Sequence, residues 1–409
     1  MLIGIGGGIA AYKVCHVIST LAKGGVAVRC VFTQQTQHFI SPLTVSTLSR
    51  HRAYGDEDFW QPQGRPLHIE LGEWADVFVL APLTANTLGK LALGLADNLL
   101  TNTVLASNCP LLVAPAMNTD MWHQRPVQEN WRRLLQWPRI HVVAPTSGTL
   151  ACDRIGTGRM AEPENILPHI YSLLHSQGRR DLAGQRVLIS AGSTREFIDP
   201  VRFIGNPSTG KMGIALAQAA SHRGAQVTLV HGPLDSSLQQ RLSGIQTVPI
   251  TSAADMQQAM VNAQPEADWI FMAAAVGDVK PTTMATEKLP KAALPPQLPL
   301  TSVPDIIADL AQRRHPQQRL IGFAAQTGDI LPPALEKLRR KGLDAIVANP
   351  IDRPDSGFGS DTNQAIVLDR WGGQEAIAPC TKLEMAHSLL DRMLQLPKQS
   401  SPSELPTSG

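Results

Sequence analysis

A dominant charge, paired cysteines and long apolar runs are all missing from this sequence. Its 36 Lys and Arg residues nearly cancel its 34 Asp and Glu, leaving a net charge of +2 over 409 residues. No global field draws such a chain to nucleic acid or to an acidic membrane surface, so any basic residue that meets a phosphate must act locally. The five cysteines, Cys15, Cys30, Cys109, Cys152 and Cys380, are odd in number, widely spaced and form no CxxC pair. That argues against a disulfide framework and a structural zinc site, and suits a reducing cytoplasm. The opening stretch MLIGIGGGIAAYK has no basic start and no apolar run long enough to cross a bilayer, so it reads as fold and not as an address or a membrane span. A GxxxxGK[ST] run and a well-formed GxGxxG are absent as well, which leaves no Walker-type site to invoke.

Hydrophobic residues make up 43% of the chain and charged residues 17%, a globular composition with enough apolar material for full cores. Short runs rich in Val, Ile and Leu alternate with amphipathic stretches. Leu2–Ile5, Val26–Phe32, Val77–Ala81, Leu111–Ala114 and His141–Val143 read as strands, with helices at Ala10–Ala22, Ala85–Leu95, Asp120–Leu135 and Asn165–Leu174. Unalternated apolar runs of this length belong to strands covered on both faces, hence to a parallel sheet. The stretch HSQGRRDLAG then interrupts the pattern with linker composition. The alternation restarts with strands at Arg186–Ala191, Gln226–Val230, Trp269–Ala275, Leu320–Ala324, Ala345–Ala348 and Ala365–Leu368, and helices at Met212–His222 and Leu383–Leu394. The expectation is an α/β protein of two doubly wound, Rossmann-like domains, residues 1–178 and 185–396, joined by a linker at 179–184. The Pro- and Ser-rich end, 397–409, is expected to be disordered.

Several strand ends carry residues suited to ligands, which bind beyond the carboxyl ends of strands in open α/β sheets. Gly4-Ile-Gly6-Gly7-Gly8 follows a strand and opens a helix; it suits either a phosphate at a helix start or a tight turn with close packing. Asn206-Pro-Ser-Thr-Gly210-Lys211-Met-Gly213 offers hydroxyls, glycines and a lysine at another helix start. Asn118 closes the strand-end segment APAMN, and His68 precedes the strand at Val77. Cys152 sits between charged and glycine residues, where Arg154 and Arg159 would favour a thiolate. Asp278, Lys288, Lys291, Lys337 and Lys341 supply the carboxylate and cations a nucleoside triphosphate with Mg²⁺ would need. Each of these lysines alone could equally be a solvated charge.

Taken in order, the segments GGIAAYK, HIELGEWAD, LAPLTANTLGKLALGLADNLL, APAMN, GTGRM, STREFIDPVRFIGNPSTGKMG, AAAVGDV, EKLPK, GFAAQT and GFGSD resemble the bifunctional phosphopantothenoylcysteine decarboxylase/phosphopantothenate–cysteine ligase family of coenzyme A biosynthesis. The resemblance runs from Ile3 to about Leu396. It implies a first half that holds FMN near Gly7, Gly8, Ala81, Thr84 and Asn86. There the flavin would draw electrons from the cysteinyl thiol, giving the departing CO₂ an electron sink that the carboxylate alone lacks. In this family pattern His68 is a base or charge partner, Asn118 binds the substrate carboxylate, and Cys152 donates a proton from a flap loop. The second half is implied to join L-cysteine to 4′-phosphopantothenate through an acyl-cytidylate made from CTP, with Mg²⁺. Met272, Ala273, Ala274, Asp278, Lys288, Pro304, Asp305, Ile306, Ile307, Phe323, Lys337 and Lys341 are the implied CTP contacts, and Asn206 the contact to the acyl intermediate.

The sequence departs from that pattern at Gly6, where the family usually has Ser or Thr, at Asp153-Arg154, at Gln326 and at Gly359. Two alternatives follow: only one half is active, or the chain is a non-catalytic flavoprotein-like regulatory subunit. The resemblance further implies no nucleic-acid or membrane partner. It points to a homo-oligomer with trimers of the flavin domain, FMN near their boundaries, and dimers of the ligase domain, together able to build a dodecamer.

Overall fold

Two units divide the chain, Met1–Arg179 and Arg180–Gly409, each around its own sheet. The computed structural model describes residues 1–62, 64–149, 155–294, 296–353 and 357–397; the expected disordered tail lies almost wholly outside the described residues.

In the first unit, β1 (Leu2–Ile5), β2 (Arg29–Phe32), β3 (Ala53–Tyr54), β4 (Phe78–Leu83), β5 (Leu111–Pro115) and β6 (Ile140–Val142) form one sheet in the order β3-β2-β1-β4-β5-β6. Every pairing in it is parallel. β1, β4 and β5 are buried at every residue, because one apolar cluster around Ile3, Val14 and Ile170 covers one face and another around Leu2, Leu80 and Val104 covers the other. Each such leucine, isoleucine or phenylalanine contributes about 1.5–3 kcal/mol when fully buried. The strand order reverses between β1 and β4, which places a crevice at their carboxyl ends. A hairpin, β7 (Thr146–Thr149) with β8 (Ile155–Arg159), follows the sheet.

Two readings of this unit need correction. The helix expected over Asp120–Leu135 is two helices, Thr119–His123 and Arg125–Leu134, separated by an extended Gln124. Pro126 is the cause: it has no N–H to continue the first helix and fits only the opening turn of a new one. The second is the start of the strand expected from Val77, which begins at Phe78 and runs to Leu83; before it His68 stands on the helix Leu67–Trp74, a short element whose buried side chains are Leu67 and Leu71.

The second unit repeats the order. β9 (Arg186–Ala191) is followed by the hairpin β10 (Arg195–Phe197) and β11 (Phe203–Gly205), then β12 (Gln226–His231), β13 (Gln246–Pro249) and β14 (Trp269–Met272). A second hairpin, β15 (Val279–Pro281) with β16 (Leu300–Ser302), precedes β17 (Arg319–Gln326), β18 (Ala345–Pro350), β19 (Thr362–Asp369) and β20 (Gln374–Thr381). The sheet runs β13-β12-β9-β14-β17-β18-β19-β20. It is parallel as far as β18, and β19 and β20 extend it antiparallel. β20 escaped the sequence reading because it is an outer strand with mostly exposed residues and no apolar run.

One polar element holds this unit together from within. Arg223 is 1% exposed and forks onto both carboxylate oxygens of Asp181 at 2.7 Å, while its third nitrogen meets Asp391 at 2.7 Å. Burial disfavours the charged guanidinium, but the two carboxylates outweigh it and raise its pKa above the ordinary arginine value. The start of the unit, the end of the helix Lys211–His222 and the closing helix Lys382–Gln395 thereby share one side chain.

Candidate active sites

In the first unit a cavity of about 730 Å³ spans the carboxyl ends of β2, β1, β4 and β5, across the reversal of strand order. Gly7, Gly8, Thr84, Asn86 and Asn118 all line it. The helix Ala11–Lys23 starts at its wall with no side-chain cap, whereas the helix Ala85–Leu93 is capped by Thr84, whose Oγ1 accepts from Thr87 N–H at 3.3 Å. The glycines at 6 and 7 are required by close backbone approach. Gly6 N–H donates to Pro82 O at 3.2 Å, and a Cβ on Gly6 would stand 2.5 Å from that oxygen. A Cβ on Gly7 would lie 2.8 Å from the Gln35 carbonyl carbon. The departure at Gly6 thus has a local cause, because a serine there would press on the Pro82 backbone.

Asn118 caps the helix Thr119–His123 by accepting Asp120 N–H at 2.8 Å on Oδ1. Its amide orientation is thereby set: the oxygen serves the backbone and the NH₂ is the end that could meet an anion. The opposite wall comes from β8 and the residues after it. Lys13, 6% exposed, donates to Glu162 at 2.9 Å and to Met160 O at 3.2 Å, and Arg159 reaches the same Glu162 oxygen at 2.6 Å.

Two expected residues of this unit lie elsewhere, and a third falls outside the described residues. Ala81 is buried in the core with Ile3 and Ala114. His68 stands edge-on to Phe59 at 5.4 Å, away from the cavity lining, and its buried Nδ1 has no hydrogen-bond partner among the described residues. Cys152, with Asp153 and Arg154, lies outside the described residues.

The second unit's cavity, about 590 Å³, lies over the ends of β14, β17 and β18. Met272, Ala273, Ala274 and Asp278 line it from the end of β14 and the chain beyond. Pro304, Asp305, Ile306 and Ile307 line it from a helix start, Phe323 from β17, and Lys337 and Lys341 from the end of the helix Leu331–Arg340. Asn206 joins them, donating its NH₂ to Ala275 O at 3.4 Å and Val276 O at 3.2 Å. Its carbonyl oxygen is then the end left for a ligand. Lys288 is exposed and absent from the lining.

The cations here are held by protein oxygens. Lys337 donates to Phe323 O at 2.9 Å; burial lowers its pKa and the Asp278 carboxylate works in the opposite direction. Lys341 pairs with Asp305, which also caps the helix Ile306–Arg313. Lys211 donates to Gly359 O at 2.9 Å and to Asp361 at 2.6 Å. Lys382 donates to Gly357 O and Ser360 O, and burial together with Lys211 pushes its pKa down to about 8 against the pull of Asp361. Sequence reading missed Lys382, Arg340, Asn349 and Phe358, all on this lining: Lys382 and Arg340 stand on helices outside any glycine-rich or strand-end motif, whereas Asn349 lies at the end of β18 and Phe358 within GFGSD, signals that were there to be read. It missed Tyr12, Lys13 and Gln35 in the first unit as well, although Tyr12 and Lys13 close the segment GGIAAYK.

Two doubly wound sheets, each with a cavity at its carboxyl edge, define a chain with two separate small-molecule sites. Residues 1–175 match the Flavoprotein family, and residues 182–396 match the DNA/pantothenate metabolism flavoprotein C-terminal domain. The coenzyme A biosynthesis bifunctional protein CoaBC of Bacillus subtilis (strain 168) is 40% identical over 400 residues, covering 98% of each chain. A cysteine/cysteine sulfinic acid decarboxylase from an unknown prokaryotic organism is 41% identical over 361 residues, 87% of this chain and 99% of that one. Among solved structures, the C-terminal domain of a coenzyme A biosynthesis bifunctional protein CoaBC superposes with a TM-score of 0.44 at 34% identity, over 52% of this chain and 95% of that one. The chain belongs to the bifunctional coenzyme A biosynthesis family and is an enzyme with phosphopantothenoylcysteine decarboxylase and phosphopantothenate–cysteine ligase activities.

Proposed function

We propose that the first cavity holds FMN and the second CTP, so that the second unit makes 4′-phosphopantothenoylcysteine and the first decarboxylates it to 4′-phosphopantetheine. The observation that carries this reading is the meeting of distant strand-end residues in one cavity per unit. The first cavity fits a flavin nucleotide. It offers a glycine loop at an uncapped helix start for the phosphate and apolar walls from Ile9, Tyr12 and Met117 for the ring.

In the ligase the carboxylate of 4′-phosphopantothenate attacks the α-phosphorus of CTP, and pyrophosphate leaves. The cysteine amine then attacks the acyl carbon, and CMP leaves with the bonding electrons. Lys211, Lys337 and Lys341 offset the charge that builds on the departing pyrophosphate. Each ammonium carries three N–H donors, so a phosphate oxygen can be met beside the oxygens of Asp361, Phe323 and Asp305. The free carbonyl oxygen of Asn206 suits an N–H of the acyl intermediate or the incoming amine. Among the described residues no three His, Cys, Asp or Glu side chains converge to hold a metal. Mg²⁺ would ride on the triphosphate; Asp278 and Asp305 are the carboxylates of the lining.

In the decarboxylase the bound flavin supplies the two-electron redox step. The Asn118 NH₂ holds the substrate carboxylate, Cys152 returns a proton from a thiol whose ordinary pKa of about 8.5 keeps it protonated, and His68 is the base or charge partner. The place of His68 away from its own cavity is what a site completed by a neighbouring copy requires. Exposed Tyr12, Phe39 and Leu43 offer apolar surface for the proposed trimer. The proposed setting is the cytoplasm; among the described residues no helix is long and apolar enough to cross a membrane.

Mass spectrometry of the protein with 4′-phosphopantothenate, L-cysteine, CTP and Mg²⁺ tests the reading. The expected products are CMP, pyrophosphate and 4′-phosphopantetheine. Accumulation of phosphopantothenoylcysteine would refute the flavin assignment, and folded protein that releases no CMP would refute the nucleotide assignment. Cys152→Ser should retain flavin while 4′-phosphopantetheine output falls; undiminished output would remove Cys152 from the mechanism.

A further inference from the structure

Asp199 is completely buried in the turn between β10 and β11, yet its carboxylate is fully engaged. One oxygen, Oδ1, accepts Val201 N–H and Arg202 N–H, each at 2.8 Å, and these bonds shape the turn. The other, Oδ2, accepts the Arg202 guanidinium at 2.5 Å and the Leu289 N–H at 3.3 Å. The last bond leaves the hairpin altogether and grips a segment ninety positions later in the chain. Arg202 completes the grip by donating to Leu289 O at 3.2 Å, so the Leu289 peptide is held on both sides. The same turn accepts Ala285 N–H on Ile198 O at 2.9 Å.

The gripped segment is the one that carries Lys288. It leaves the cavity wall at Asp278, passes through β15 and returns to the wall at Val303 and Pro304. Lys288 itself is exposed and stands one residue before the anchor. A long side chain on a loose loop loses pairing energy to ordering of both backbone and side chain, and a fixed neighbouring peptide removes the backbone share of that cost. We infer that Asp199, through Leu289, is the positioning residue for Lys288 and so governs how well the second unit holds its triphosphate. The inference rests on the CTP contact that the family resemblance implies for Lys288, a residue outside the cavity lining.

The division of labour between the two oxygens provides a selective variant. Asp199→Asn can keep its oxygen on Val201 and Arg202 N–H, which preserves the turn. Its NH₂ then faces the N–H of Leu289 and the Arg202 guanidinium, donor against donor, and the outward grip is lost. Steady-state ligation, followed by CMP release, is measured for the parent, Asp199→Asn, Lys288→Gln and the double variant. Asp199→Asn should raise the KM for CTP about tenfold, the size expected for losing a charge-assisted hydrogen bond. In the Lys288→Gln background it should add less than about twofold, because the two residues act in series. Flavin absorbance of the first unit serves as the internal standard for protein amount.

A KM for CTP at the parent level in Asp199→Asn, alongside an impaired Lys288→Gln, overturns the inference and leaves the nucleotide role of Lys288 standing. An equal Asp199→Asn effect in both backgrounds also overturns it, since Asp199 would then act on the fold alone. Parent-level kinetics in Lys288→Gln overturn both. Should Asp199→Asn fail to fold, native-state hydrogen exchange of the unaltered protein decides: the Leu289 amide should exchange at least about tenfold more slowly than those of Glu287 and Lys288, and equal rates reject the anchor.

Discussion

The two units share a strand order and use it differently. In the first, the crevice between β1 and β4 is open, and Gly7, Thr84 and Asn118 reach the same cavity across it. In the second, the chain after β9 stays joined to the chain after β14, with Ala275 N–H donating to Gly192 O at 2.8 Å, and on its other side it packs on the turn after β12. Gly192, with φ of +78°, packs on Gly232, and a Cβ there would lie 3.4 Å from Gly232 N. Gly210, with φ of +81°, has Gly192 on one side and Leu234 on the other. The cavity lies over the ends of β14, β17 and β18 and meets the chain beyond β9 only farther on, at Asn206 and the helix start Gly210–Met212. A repeated topology therefore fixes where a crevice is possible, and the loops that follow the strands decide whether it stays open.

Paired glycine substitutions give the largest test of that contrast. Gly7→Val should force the Gln35 loop away and weaken flavin binding by roughly 100-fold, while CMP formation stays near the parent level, because the obstruction falls in a ligand cavity. Retained flavin absorbance after gel filtration would count against an open first crevice. Gly192→Ala should instead cost about 1–2 kcal/mol of stability in urea unfolding of the second unit, since the residue must keep a left-handed conformation against protein. Its KM for CTP should stay within about twofold of the parent; a large KM change at unaltered stability would mean that this crevice too admits ligand. Leu234→Ala probes the same packing more gently. Leu234 is only half-buried, so a loss of about 1–2 kcal/mol is expected, again without an effect on CTP.

A smaller effect separates the buried lysines of the two cavities. Lys13 has the Glu162 carboxylate, whereas Lys382 has two carbonyls and the neighbouring charge of Lys211. The folded pKa of Lys382, about 8, lies below its ordinary value of 10.5. Between those values the unfolded chain holds more protons, so stability contributed at this site is lowest below pH 8 and rises as the pH climbs through the window. The stability gap between the parent and Lys382→Met should shift in favour of the parent from about pH 7 to about pH 9.5. A gap independent of pH would show that Lys382 does not change charge there.

Much of this fold was legible because buried parallel strands announce themselves as apolar runs: LIGI in β1, FVLAPL in β4 and RVLISA in β9. The antiparallel strand β20 gave no such signal, its residues facing mostly outward. Pro126 could have divided the helix after Asn118, had its missing N–H been weighed against the apolar spacing. Cavity residues were readable where they end strands, as Gly7, Asn118 and Asp278 do. Lys382 and Arg340 were not, because helices deliver them from distant stretches of chain and no local pattern marks the direction. Asp199 drew no reading of its own within STREFIDPVRFIGNPSTGKMG, because its bond to Leu289 reaches a segment ninety positions away.

The Arg223 fork has a practical consequence for dividing the polypeptide. Asp181 precedes β9 and could be mistaken for dispensable leader, but it neutralises a guanidinium sealed inside the second unit. A separately expressed ligase half that begins at Arg186 would enclose Arg223 with Asp391 as its remaining carboxylate. Its low yield or poor solubility would then reflect the chosen starting residue and not an inability of that half to fold alone. Beginning at or before Arg180 keeps the counter-charge in place.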